Sequence, residues 1–463
     1  MSHGSNKKVP IIPDYLLRLE LRENSYEYRY SSSNISTGDV NNSARLHYNN
    51  SLDGNLNRDG NSTTSADFIL PQDIINENSK VGWLLSSKAI VQLFIYPLVG
   101  VVCCRIGYVI PLYLGSFVMF LSSLVFAFCE SYALLFLARS IHGLGTSCYQ
   151  VAGLGMIAAV YPKDRERSRA MGIALGGQGF GILIGYPLGG SLYAFVGKMV
   201  PFLITAVIVA FTGVLILIIY KPTLNLEPRI VGTPLHVILR DPYILLVAGL
   251  LMIPEMAIAI LEPTLPIWLA DYLHVEEWQI GLVFLPDSIG QLIASNVFGI
   301  ASYRIGRWIC GLTSLLSAAA CLIILPFATK IVHLILPHFG VGFSIGIMNA
   351  TMLPLLALLV DQRHRAEYGM VYAIGQLACS LGYAIGPSIG GQLAGIMGFP
   401  WLIRGMGIFC LLACPFTFFL RQLPCDEEHK AILKDDHLSH ASYSVRGEKA
   451  FEYNRFSDTD SSP

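Results

Sequence analysis

Charge is what this sequence has least of. Of its 463 residues only 14% are charged while 53% are apolar, and mean hydropathy is positive, a balance that excludes a soluble globular chain of this length. The formal net charge of −1 leaves no basic excess for nucleic acid, and the Lys and Arg residues lie between apolar stretches instead of forming a patch. The cysteines are scattered, with none between Asp14 and Lys80. That spacing offers neither a disulfide framework nor a metal-ligand set, so no metal and no cofactor are expected.

What the chain has is a succession of long apolar segments from Val81 to Phe419. Windows of about 20 residues, the length of helix that crosses a bilayer, place spans at 81–103, 108–128, 132–160, 170–194, 199–220, 243–270, 278–303, 308–329, 332–360, 368–395 and 400–420. The number is odd. Arg105, then Lys163, Arg165, Arg167 and Arg169, then Lys221, Arg229 and Arg240, then Arg304 and Arg307, then Arg363 and Arg365 all fall on alternate loops. The other loops carry little beyond Lys198 and Lys330. Positive residues stay inside, so the Arg-rich side is cytoplasmic.

The segment before Val81 then faces the opposite side. It is rich in Asn and Ser and carries sequons at Asn34, Asn41, Asn49 and Asn61, which predicts a glycosylated luminal segment. Upstream, Lys7 and Lys8 precede only the short apolar stretch Val9 to Pro13, too brief for a span or a signal peptide.

Two motifs occur twice. Gly100-Val-Val-Cys-Cys-Arg105-Ile-Gly107 returns as Gly299-Ile-Ala-Ser-Tyr-Arg304-Ile-Gly306-Arg307, with Gln92 and Gln291 equally spaced ahead. Gly181-Ile-Leu-Ile-Gly185-Tyr-Pro187-Leu-Gly189-Gly190 returns as Gly382-Tyr-Ala-Ile-Gly386-Pro387-Ser-Ile-Gly390-Gly391. Both repeats are about 200 residues apart and keep the same side of the membrane, the pattern of parallel-repeat transporters of the major facilitator type. The first motif lets two helices approach at the cytoplasmic end while its Arg reaches a carboxylate or a helix C-terminus, gating that side. A plain positive-inside anchor reads equally well for Arg105. The second motif, with Gly172 ahead of it, packs helices backbone to backbone, either as a seal against proton leak or as ordinary small-residue packing.

Charges at bilayer depth cost several kcal/mol unless they meet a partner or a wet cavity. Lys88, Arg139, Glu255, Glu262 and Asp287 qualify, either as functional groups or as pairs that fix helix register. Glu255 and Glu262 are seven apart on one helix and share a face. Lys88 and Asp287 each precede their Gln by four residues, so they should face the centre from the two halves. Pro263, just after Glu262, frees a helical carbonyl near mid-membrane, where binding sites are built.

Further stretches give the chain a specific likeness. Val9-Pro-Ile-Ile-Pro-Asp14-Tyr15, Asn76-Glu-Asn-Ser-Lys-Val-Gly82, Ala138-Arg139-Ser-Ile-His-Gly-Leu-Gly145, Met171-Gly-Ile-Ala-Leu-Gly-Gly177, Leu261-Glu262-Pro-Thr-Leu-Pro-Ile-Trp268 and Tyr368-Gly-Met-Val-Tyr-Ala-Ile374 resemble the vesicular amine transporters. Val151 to Met156 and Pro266 to Trp268 follow the monoamine branch more closely than the acetylcholine branch. The resemblance implies an all-α membrane protein of the major facilitator fold and a transporter, not an enzyme. It also implies a first membrane helix ending at Pro10 to Tyr15, with an amine-binding aspartate in its body. The chain starts instead on hydrophilic Met1 to Lys8, so that helix is expected to be missing from the N-terminal half, as in an alternative or incomplete product.

By the same resemblance, Glu262 falls on the family's amine-recognising glutamate, Lys88 on its second-helix lysine and Arg139 on its fourth-helix arginine. Trp268, Tyr372 and Tyr383 match aromatic positions of its cavity, where ring faces attract an ammonium by about 0.5–2 kcal/mol each; core packing explains any one of them equally well. The departures fall at functional places. Asn349 stands where the family has its tenth-helix aspartate and Gln376 where it has the eleventh-helix aspartate that would pair with Lys88. Gln291 replaces a cavity tyrosine and His274 a luminal disulfide cysteine. Glu255 and Asp287, where the monoamine branch is uncharged, are the candidates to restore the charge balance and carry protons.

The expected layout is a first-helix remnant at 1–13, a glycosylated luminal loop at 14–80, helical halves at 81–220 and 243–421, a cytosolic linker at 221–242 and a cytosolic tail at 422–463. In the polar tail Glu428, Ile432 and Leu433 fit an acidic dileucine sorting signal, read by a clathrin adaptor. The expected activity is exchange of a monoamine or other organic cation against protons across a secretory or synaptic vesicle membrane. A solute of another class, or a non-transporting form that modulates the full-length protein, are the alternatives.

Overall fold

The computed structural model describes residues 72–220, 235–273, 275, 277–364 and 368–421. The sequons Asn34, Asn41, Asn49 and Asn61, the stretch 1–13, His274, most of the linker, and Glu428, Ile432 and Leu433 lie outside the described residues. Within these bounds the architecture is a helical bundle, with no strand among the described residues. Its long helices are α1 (Gln72–Ile106), α2 (Val109–Phe128), α3 (Tyr132–Val160), α4 (Asp164–Val196), α5 (Met199–Ile219), α6 (Pro242–Trp268), α7 (Leu285–Ile305), α8 (Arg307–Ile324), α9 (Ile335–Arg363), α10 (Tyr368–Met397) and α11 (Phe399–Ala413). A single turn, Leu235–Ile238, precedes α6, and a short helix, Glu277–Val283, leads into α7. Eleven segments are long and apolar enough to cross a membrane. Large apolar side chains such as Val207, Phe211 and Ile218 on α5 point outward and stay exposed, as hydrocarbon-facing positions do, since lipid does not penalise them.

The helix ends are set by residues that break or cap. Asp241 accepts the Tyr243 amide at 3.0 Å as N-cap of α6, with Pro242 in the first turn, where its missing N–H costs nothing. Ser131 accepts the Leu134 amide as N-cap of α3. The four glycines with left-handed backbone are Gly107, Gly197, Gly306 and Gly398. They fall into two repeat-related pairs, Gly107 with Gly306 and Gly197 with Gly398, and each ends a helix that is followed at once by another. Only glycine takes that conformation without strain.

The repeat shows in the packing. In the N-terminal half α3 packs on α1 and α2, and α2 on α5; in the C-terminal half α9 packs on α7 and α8, and α8 on α11. The halves meet crosswise, α1 against α10 and α4 against α7. These are the four helices that carry the duplicated motifs. A methyl added at Gly299 would lie 2.8 Å from the Cα of Gly172, and one added at Gly100 would lie 3.0 Å from Cβ of Ala373. The close approaches are thus equivalent contacts of one pseudo-twofold arrangement.

The second motif packs on one side only. Gly382 and Gly386 of α10 lie against Met252, Met256 and Ala259 of α6, and Pro387 is buried with them, whereas nothing approaches Gly181, Gly185 or Gly189. The reason is topological: among the described residues no helix takes against α4 the place that α6 takes against α10. Gly172 does pack as expected, on Gly299.

Two expectations for the arginines change. Arg105 and Arg304 are exposed and make no ion pair with another described residue. Among the described residues the ion pairs between the halves are Arg307 with Asp164 at 2.5 Å and Arg167 with Asp361 at 2.7 Å. Arg105 and Arg304 lie at the ends of α1 and α7, whereas Arg307 and Arg167 lie in the first turns of α8 and α4 and reach carboxylates of the other half. Tyr368 donates its hydroxyl to Asp361 at 2.7 Å, and the Arg167 guanidinium lies over the Tyr368 ring. Both pairs tie the start of α4 to the C-terminal half at the Arg-rich end, one to α9 and one to α8.

Candidate functional site

Between the halves, level with the middle of α6, polar side chains gather from six helices. Pro254, Pro263 and Pro266 interrupt the α6 hydrogen-bond ladder, and Leu269–Leu273 form a wider π-helical turn after it. A ladder with missing donors can place charged side chains inward where a regular helix would pack. Glu255 is buried, and Glu262, two turns later, stays partly accessible.

Glu255 accepts a hydrogen bond of 2.8 Å from the Asn349 side-chain amide of α9, and the Tyr383 hydroxyl of α10 is its second hydrogen-bonding neighbour. Asn349 thus does not hold a charge there; it solvates the one on Glu255. The electrostatic neighbours of Glu262 are Arg139, Lys88 and Glu255, and Lys88 in turn faces Arg139 and Glu262. His142, one turn along α3 from Arg139, neighbours both cations. Asp287 is 6% exposed, and its charged neighbours are Glu262 and Glu255, with no cation among them. Glu262 is an electrostatic neighbour of both Lys88 and Asp287.

Charge is segregated in this cluster. The N-terminal wall brings Lys88 and Arg139; the C-terminal wall brings Glu255, Glu262 and Asp287. Three carboxylates against two cations leave one negative charge over when all are ionised. Deep in a bundle such a surplus costs several kcal/mol unless a proton or a cationic ligand neutralises it.

The remaining expected residues are distributed along the axis. Tyr383 is at the cluster. Gln376 is half-buried on α10, one turn from Ser380, whose hydroxyl donates to Gln92 Oε1 at 3.1 Å; Gln92 donates to Thr146 at 2.9 Å. Trp268 lies farther toward the lumen, its ring stacked 5.2 Å from Tyr272 and 4.8 Å from Phe399. Tyr372 is not in the cluster: it is fully buried on the cytoplasmic side, its hydroxyl 3.4 Å from the Met171 sulfur and near Arg167. Its aromatic ring belongs to the seam between α4 and α10 in this conformation.

Tyr186 of α4 was not singled out by the sequence, yet it neighbours Glu262, Asp287 and Arg139, and its ring stacks 5.5 Å from Phe284. Its place inside the Gly185-Tyr-Pro187 motif was the available signal. His338 of α9 was also missed. It is buried, and its position relative to Arg139 is the same as that of Asp287 relative to Lys88.

The profile of the Major Facilitator Superfamily matches residues 60–366 and 255–445. The human synaptic vesicular amine transporter is 44% identical over 92% of this chain and 87% of its own length. The human chromaffin granule amine transporter is 46% identical over 78% of this chain and 69% of its own. A probable vesicular acetylcholine transporter of Danio rerio is 39% identical over 77% and 74%. Among solved structures, the human organic anion transporter MFSD10 (TETRAN) superposes with a TM-score of 0.67 over 88% of this chain and 94% of its own, at 15% identity, a likeness of fold alone. Two halves related by a repeat, eleven helices among the described residues that are long and apolar enough to cross a membrane, and this level of identity place the protein as a multi-pass member of the Major Facilitator Superfamily, and within it of the vesicular amine transporter family.

Proposed function

We propose that the protein exchanges a protonated organic amine, a monoamine, from the cytosol against protons from an acidic secretory or synaptic vesicle. The observation that carries this reading is the uncompensated carboxylate in the central cluster, with Glu262 accessible beside it. A cation or a proton is the missing counter-charge, and exchange follows if the two compete for it. The same surplus speaks against an anionic solute. Glu262 serves as amine counter-ion, with Tyr186 and Tyr383 offering ring faces to the ammonium. Glu255 and Asp287 are the proton carriers, and Lys88 and Arg139 hold the site in charge register. The vesicular amine transporters among the relatives support the substrate class, and Glu428, Ile432 and Leu433 are proposed as the vesicle retrieval signal.

The joined cytoplasmic ends imply access from the lumen in this conformation. Rocking the halves about the cluster would break the Arg167–Asp361 and Arg307–Asp164 pairs and open the other side.

Glu262→Gln keeps the shape and removes the charge. Truncating a paired, desolvated carboxylate costs about 2–5 kcal/mol, so amine binding to the purified protein should weaken by about tenfold or more, while Glu255→Gln should chiefly alter the pH dependence of exchange. Wild-type amine affinity in Glu262→Gln together with lost binding in Glu255→Gln would reverse the two roles and sink the assignment.

A further inference from the structure

His338 and Asp287 are the two buried ionisable groups of the C-terminal half whose ring or carboxylate lacks full hydrogen bonding among the described residues. His338 is 0% exposed and neither ring nitrogen has a partner; Asp287 Oδ1 has none either. Groups buried this way are costly and are retained where they act.

Their placement is not independent. Gly143 of α3 sits under the backbone of Lys88, where an added methyl would lie 2.7 Å from the Lys88 carbonyl oxygen; Gly342 of α9 sits in the same way under Asp287, and a methyl there would collide with its carbonyl oxygen. Four residues before Gly143 is Arg139, and four before Gly342 is His338. The repeat therefore maps the pair Lys88 and Arg139 onto the pair Asp287 and His338. One half carries two cations and the other an acid and a base. Phe284, one turn before Asp287, meets the His338 ring edge to face with centroids 5.5 Å apart. His338 lies in the first turn of α9, so it is on the luminal side of Asp287 by about one helical turn, or ~6 Å.

We propose that Asp287 and His338 are a proton-holding pair, with the imidazole as the relay between the lumen and the carboxylate. The proposal rests on the exchanger reading and names the residues of its proton path. A proton from the acidic lumen binds one ring nitrogen of His338; the ring passes a proton to a carboxylate oxygen of Asp287 and returns to neutral, leaving the carboxyl neutral beside Glu262. No other reactant is needed. The groups facing this pair are Glu255 and Glu262 from α6, Tyr186 from α4, Tyr383 from α10, Ser288 and Gln291 from α7 itself, Asn349 from α9, Cys321 from α8 near Gly340, and Lys88 and Arg139 across the cluster. None of the cations among them is a charged neighbour of Asp287, and His338, one turn before the Gly342 that packs under Asp287, is the base the repeat places beside it.

Infrared difference spectra of the purified full chain, recorded across pH, read the pair without any solute. A protonated-carboxyl band should vanish in Asp287→Asn, and in His338→Asn it should persist with its midpoint moved by about one pH unit or more, as for coupled groups. An unmoved midpoint, or no band belonging to Asp287, overturns the pair. In proteoliposomes, the ratio of pH-gradient-driven amine accumulation to amine-for-amine exchange should fall about tenfold or more in His338→Asn. Parallel loss of both fluxes would mean that His338 only packs, and overturns the relay. If the unmodified chain exchanged no amine while the band shift was present, the amine reading would fall and the pair would stand.

Discussion

Asp241 does three things at the cytoplasmic end of α6: it caps the helix through the Tyr243 amide, and it pairs with Arg363 and with His364, each at 3.0 Å. The Arg363 guanidinium also lies over the Tyr243 ring, so one carboxylate ties α6 to the end of α9. Burial pushes the Asp241 carboxyl up, but the hydrogen bonds from His364 and Tyr243 and the charges of Arg363 and His364 outweigh it, leaving it below the usual carboxylate range. Because folding lowers this value, the stabilisation is complete above the unfolded value of about 4 and is lost as the pH falls through the folded one. Asp241→Ala should therefore destabilise by about 2–4 kcal/mol, since it removes a cap and leaves two partly buried bases unpaired. The check is thermal unfolding in detergent at neutral pH and at about pH 3, where the gap between wild type and variant should narrow; a gap independent of pH would mean the carboxylate charge contributes nothing. Single residues such as Lys88, Glu255, Glu262 and Asp287 were legible in the sequence because a charge amid apolar residues is conspicuous. His338 was not, since a lone histidine in an apolar segment carries no signal until the repeat is extended to α3 and α9.

At the scale of helices, hydropathy located all eleven spans but misplaced their ends. The expected fourth span begins at residue 170, whereas α4 starts at Asp164. Its charged first turn is helical because Arg167, 1% exposed, is held through Nε and Nη2 by Asp361 and by the Tyr161 and Pro162 carbonyls, partners that a hydropathy window does not reveal. α1 likewise begins at Gln72, ahead of the apolar run. The duplicated motifs marked four helices for close approach, though not that Arg105 and Arg304 would be exposed while Arg307, from the same motif, and Arg167 paired across the halves. Nor did they distinguish the two crossings. At Gly299 the nearest atom is the backbone Cα of Gly172, at 2.8 Å; at Gly100 the nearest are Ala373 Cβ at 3.0 Å, then the Gly369 carbonyl oxygen and the Met370 sulfur at 3.3 Å, of which the sulfur can shift. Overpacking costs about 1–3 kcal/mol where backbone must move, so Gly299→Ala should lower the unfolding midpoint more than Gly100→Ala. Equal shifts would show that the crossings are mechanically alike.

For the molecule as a whole, the seam at the Arg-rich end, joined by the Arg167–Asp361 and Arg307–Asp164 pairs, is the proposed gate. Cys103 is fully buried there, within the α1 and α10 contact beside Gly369. Asp361→Asn removes the charge that holds Arg167 and accepts from Tyr368, so it should shift the population toward the cytoplasm-open form. Alkylation of Cys103 by a maleimide, followed on its own peptide by mass spectrometry, should become several-fold faster, and an unchanged rate would mean that the ion pairs do not govern opening. The inequality of the two crossings adds an order of events. Two leaves of a door that are bound by unlike latches do not part at once: the α1 and α10 edge, where the Met370 sulfur lies in the contact and can yield, would give way before the α4 and α7 edge, where Gly299 meets the Gly172 backbone more closely. The cycle of this pseudo-symmetric protein would then have a built-in direction of tilt, and solute entering from the cytosol would always pass by the same edge.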